Sequence, residues 1–154
     1  SSPSAAELMM NTIALRNTND TVQRAGLISD MDDMVSGLEN DGITARWGTL
    51  SNCIATNGCT QDDYFDFLMM VAIERQDDVP NAELIANVIM VNRYWGNAEK
   101  IIEFSKALSE ANDQVEALQL KSVKNKWQEA VYCDGKCPTN HAICFDFIKL
   151  LLTV

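Results

Sequence analysis

The chain has 154 residues, 47% of them hydrophobic and 22% charged, and its twelve basic and twenty-two acidic side chains leave a formal net charge of −10 at pH 7. A chain of this length reads as one globular domain that buries roughly two thirds of its unfolded surface, so it needs no cross-links merely to have a core. The acidic balance opposes nucleic acid and anionic lipid, and no apolar run approaches the ~18 to 20 residues of a membrane span; no leader-like segment opens the chain, though Ser1 in place of Met leaves a leader or an anchor upstream open.

Nearly every segment carries a helical period. Ser4 with Glu7 forms a capping-box pattern that starts a first helix at about residue 5, and "NTND" at 17–20 breaks it. A second helix carries Val22, Leu27, Ile28, Met31, Met34, Val35 and Leu38, with Asp30, Asp32 and Asp33 turned to water. The turn "ENDG" at 39–42 separates it from a third, in which Ile43, Trp47, Leu50 and Ile54 fall on one face.

Thr60 with Asp63 repeats the cap pattern and opens the most apolar helix, with one stripe of Tyr64, Phe67, Leu68, Val71 and Ala72 and a second of Phe65, Met69 and Ile73. Pro80 stops it, and Asn81 is expected to cap the next helix, which bears Leu84, Ile85, Val88, Ile89, Asn92 and Trp95. After Gly96, the spacing turns Ile101, Phe104, Ser105 and Leu108 inward, while "SEANDQ" at 109–114 leaves a break or a continuation open. Val115, Leu118, Val123, Trp127 and Val131 extend the pattern, and Thr139 caps a last helix with Ile143, Cys144, Phe147, Ile148 and Leu151. No segment alternates cleanly enough for a strand. The expected fold is an all-α, single-domain bundle of seven or eight helices over residues 1–154.

No exact internal repeat occurs. "GNAEKIIEFSKAL" at 96–108 resembles the second helix of a tetratricopeptide repeat, but it lacks the preceding Trp-Leu-Gly pattern and has no second copy, so it reads as an amphipathic helix with no function carried over.

The five cysteines carry most of the chemical information. Cys53 and Cys59 enclose "IATNG", and Cys133 and Cys137 enclose "DGK"; both pairs flank a turn at a helix–helix corner, where Cα atoms can reach the ~5.5 Å that a disulfide prefers. Each short loop would contribute about 2 kcal/mol. Five cysteines with one left free permit fifteen pairings; if the pairing is the local one that spacing favours, Cys144 is a free thiol on an inward face and the protein matures outside the reducing cytosol. Asn19 also begins an Asn-Asp-Thr glycosylation sequon, a tripeptide common by chance. The competing reading is a structural zinc site held by Cys133, Cys137, His141 and Cys144, although C-x3-C-x3-H-x2-C fits none of the common short zinc patterns.

His141 is the sole histidine, so no His-containing triad can form except around it, and its expected place is the solvent-facing first turn of the last helix. Asp62, Asp63 and Asp66 suit a helix N-terminus, and Glu74, Asp77 and Asp78 read as a solvated turn rather than a cation site. Asn92 and Ser105 are candidate pocket liners. No phosphate loop, dinucleotide fingerprint or nucleophile elbow occurs. These observations lead to a non-catalytic, extracytoplasmic helical domain that binds another protein or serves as a structural module, with no cofactor. A zinc-holding cytosolic protein and a carrier of an apolar small molecule are the alternatives.

Overall fold

In the computed structural model, which describes residues 4–131 and 141–154, the chain is all-helical. Its helices are α1 (Ala5–Asn17), α2 (Thr21–Leu38), α3 (Asp41–Ala55), α4 (Gln61–Glu74), α5 (Ala82–Tyr94), α6 (Ile101–Leu118), α7 (Lys121–Val131) and α8 (His141–Leu151), with a 3-10 turn at Ala98–Lys100 before α6. No helix among the described residues is long and apolar enough to cross a membrane. "SEANDQ" continues a helix, because no Gly or Pro interrupts the segment and Ala107, Ala111 and Val115 keep one buried row through it.

Start signals sit where the residue chemistry puts them. The side chains of Ser4, Asp20, Asn40 and Thr60 each accept a backbone N–H of the helix they precede. Thr60 forms a full capping box, its own N–H donating to Asp63 Oδ2 at 2.7 Å. Thr60→Ala is expected to lower stability by about 1 kcal/mol, read as a shift in the urea midpoint at unchanged slope. Asn81 departs from expectation. It adopts a left-handed φ of 57° and gives α5 no side-chain cap; its Nδ2 instead donates to Leu151 O at 2.8 Å and ties the start of α5 to the end of α8. Thr139, the expected cap of α8, lies outside the described residues.

The contacts cluster into two compact units, Ser1–Pro80 and Asn81–Val154. In the first, each of α1 to α4 packs on its chain neighbour and α1 also packs on α4, so the four helices close a ring. Leu8, Ile13, Met31, Val35, Ile43, Trp47, Leu50, Phe65, Phe67 and Leu68 fill its interior. The Trp47 indole N–H donates to Asp32 Oδ1 at 2.6 Å, and its ring lies 5.7 Å from that of Phe67. The buried Thr12 hydroxyl is satisfied by Leu8 O at 2.8 Å.

The second unit has the same ring, with α5 to α8 packed in sequence and α5 on α8. Its buried row on α6 differs from the expected one: Ala107, Ala111 and Val115 point inward, Phe104 and Leu108 are half-buried, and Ile101 and Ser105 are exposed. Small side chains four apart let α5 approach α6 closely, which a row of Ile and Leu would prevent. Val22 and Ile73, assigned by periodicity to apolar faces, are likewise exposed.

The second unit repeats the first. The starts of α6, α7 and α8 (101, 121 and 141) each fall 80 residues after those of α2, α3 and α4 (21, 41 and 61). Trp127 donates to Asn112 Oδ1 at 2.7 Å and stacks on Phe147 at 5.5 Å, which reproduces Trp47 with Asp32 and Phe67. Glu39 and Gln119, also 80 apart, are both left-handed (φ 51° and 53°), and their N–H groups donate to Ser36 O and Glu116 O. Over residues 21–74 laid on 101–154, only Ser29, Asp33, Val35, Leu38, Trp47, Cys53, Phe65, Asp66 and Phe67 recur as identical residues. The correspondence therefore lives in packing and turn geometry, with little of it in identity.

Candidate functional site

The α3–α4 corner gathers the most unusual chemistry among the described residues. α3 ends at Ala55, and Asn57 takes a left-handed φ of 54°, which lets the Gly58 N–H donate back to Cys53 O at 2.9 Å. The reversal brings the Cα atoms of Cys53 and Cys59 to 4.8 Å, and the two are joined as a disulfide. Thr60 then starts α4 directly.

Beside this bridge lies an open cavity of about 630 Å³, bounded by the first turns of α2, the end of α3 and Tyr64 of α4. Arg24 is its charged wall. The Arg24 Nη1 donates to Thr18 O at 3.1 Å and Leu15 O at 3.4 Å, so the carbonyls that end α1 hold the guanidinium in place. Ile28, Ile54 and the bridge sulfurs supply apolar wall, and Thr21, Asn19 and Asn57 supply polar rim. Asp63 brings a carboxylate oxygen within 4.8 Å of both bridge sulfurs, but disulfide sulfur is no thiolate, so the trio is not a metal site while the bridge is closed.

The other expected site residues fall as follows. Cys133 and Cys137, which belong both to the second expected bridge and to the zinc alternative, lie outside the described residues. Cys144 is a free, buried thiol, as expected, and burial pushes its pKa up to about 12, so it is neutral at pH 7. It borders a cavity of only about 20 Å³ together with Val88, Val91, Asn92, Trp95 and Trp127, room for roughly one water. His141 stands in the first turn of α8 but is half-buried rather than solvent-facing. Asn92 does line a cavity; Ser105 lines none of those described and is exposed. Glu74, Asp77 and Asp78 do not converge: Glu74 accepts from Asn40 Nδ2 at 3.4 Å, and Asp78 pairs with Arg75 at 2.7 Å.

Two features escape a reading by pattern. Asn87 is a buried amide in the middle of "LIANVI", and its Nδ2 donates to Gln114 Oε1 at 3.0 Å and Glu110 Oε2 at 3.3 Å across α5 and α6. A polar residue inside an apolar helical face is the available signal for such a clamp. Arg24 is the other, since a single Arg on a surface helix has no motif that marks it as a cavity wall. No protein-family model, no curated protein and no solved structure matches the chain.

Proposed function

We propose that this chain is a non-catalytic helical binding module that matures in an oxidising, extracytoplasmic compartment, with another protein as its partner. The observation that carries the reading is the Cys53–Cys59 bridge at the α3–α4 corner, since stable disulfides are rare where glutathione and thioredoxin keep thiols reduced. Cys133 stands six residues after Trp127 as Cys53 stands six after Trp47, so the first cysteine of each expected bridge recurs, while Cys137 falls opposite Asn57 rather than Cys59. The one free thiol in this scheme, Cys144, is too buried and too weakly acidic to serve as a nucleophile.

The surface supports a partner. Val22 and Ile102, at the same place on the first turns of α2 and α6, are 81% and 79% exposed. An apolar side chain left in water at one position in both units suits contact with another protein. Thiol counting on the natively purified protein, denatured without reductant, tests the compartment. One free thiol is the expected result, and five would overturn the oxidised reading.

A further inference from the structure

The two units differ in the residues that stand where the first one is open. With the units laid on each other by their shared helix starts, Arg24 takes the place of Phe104, Thr21 that of Ile101 and Tyr64 that of Cys144. In the second unit Phe104 packs edge-on against Trp95 at 5.5 Å, and the cavity bordered by Trp95 and Cys144 holds about 20 Å³. In the first unit the link from α1 to α2 is only Thr18, Asn19 and Asp20, with no aromatic residue to match Trp95, and about 630 Å³ opens beside Arg24. At the position of Arg24 the second unit thus carries an aromatic ring packed on Trp95, whereas the first carries a cation held by the carbonyls that end α1; the counterparts of Cys53, Ile54, Ala55, Asn57 and Cys59 lie outside the described residues.

The chemistry of the opening points to one class of occupant. Among the described residues no acidic side chain lines this cavity, whose one charged lining residue is Arg24; Asp63, beside the bridge, has its carboxylate engaged by the Thr60 N–H. Its remaining wall is mixed, with Ile28, Tyr64 and the bridged cysteines alongside the polar Thr21 and Asn57. The volume lies within the ~300 to 1,000 Å³ of small-molecule sites. We propose that the cavity binds a small organic carboxylate with an aromatic or apolar body, the carboxylate on Arg24 and the body against Ile28, Tyr64 and the Cys53–Cys59 bridge. Guanidinium presents several N–H donors in a plane, and two of its contacts here are to carbonyls through one nitrogen, which leaves the others for a planar acceptor. This names a ligand for the binding-module reading but does not depend on its compartment: five free thiols would sink that reading and leave the site to be judged by its own test.

The test is an amide NMR titration of the full chain, bridge intact, with 2-naphthoate and with the uncharged 2-naphthylmethanol. The acid should move the amides near Arg24, Asn57 and Tyr64 at submillimolar concentration and bind about tenfold more tightly than the alcohol. Arg24→Gln should erase that difference. Ile28→Trp, which puts a larger side chain into the apolar wall, should weaken the binding of both probes while the amides of residues 81–131 keep their positions. Equal affinity for acid and alcohol, or acid binding that survives both substitutions, would overturn the site, as would shifts that map elsewhere or no binding at millimolar acid.

Discussion

Phe67→Ala is expected to cost about 3 to 5 kcal/mol, out of the roughly 5 to 15 kcal/mol that a natural domain has to lose. Phe67 is fully buried on α4, where its ring meets Trp47 of α3 at 5.7 Å. Removing it deletes the transfer free energy of the ring, leaves a void among three helices that cannot all collapse into it, and strips the indole of its aromatic partner. The loss should appear in urea unfolding followed by tryptophan fluorescence, and Phe67→Leu, which refills most of the volume, should recover more than half of it. Phe147→Ala, at the repeated position against Trp127, should behave alike. A cost below about 1 kcal/mol at both positions would mean that the Trp–Phe pair does not organise either core.

That pair also shows how far residue patterns reach. The helices, the caps at Ser4 and Thr60, the inward faces of α3, α7 and α8 and the first stripe of α4 follow from apolar spacing and short polar side chains, both of which are local. The face of α6 does not, because burial there goes to Ala107 and Ala111, and alanine looks the same in water as in a core until the approach of α5 is known. The left-handed residues Glu39 and Gln119 are neither Gly nor Asn; the run "ENDG" at 39–42 marks the first turn, but no such run marks the second. The duplication itself was within reach, since Trp-x5-Cys and the tripeptide Phe-Asp-Phe each recur 80 residues apart (Trp47 and Trp127, 65–67 and 145–147). It is blurred by the link before α6, six residues where α1 and α2 are joined by three, which throws α1 and α5 out of the common register.

Cys144 should give the protein an alkaline weakness with a definite sign. Burial lifts its pKa from 9.0 to about 12, so the folded protein keeps the proton that the unfolded chain releases above pH 9. Below pH 9 the thiol is neutral in both states and its ionisation contributes nothing to the balance. As pH rises from 9 to 12 only the unfolded state ionises, and stability falls by about 1.4 kcal/mol per pH unit, about 4 kcal/mol over the whole window. Lysines and tyrosines titrate in the same range, so the measurement is a difference between two proteins. Cys144→Ala removes this thiol and little volume, and the variant should start less stable at pH 8, by about 1 kcal/mol for the small void. Its urea midpoint should then fall more slowly with pH and cross above that of the parent before pH 12. Parallel pH profiles for the two proteins would show that water reaches the thiol in the folded state, and with it the interior between α7 and α8.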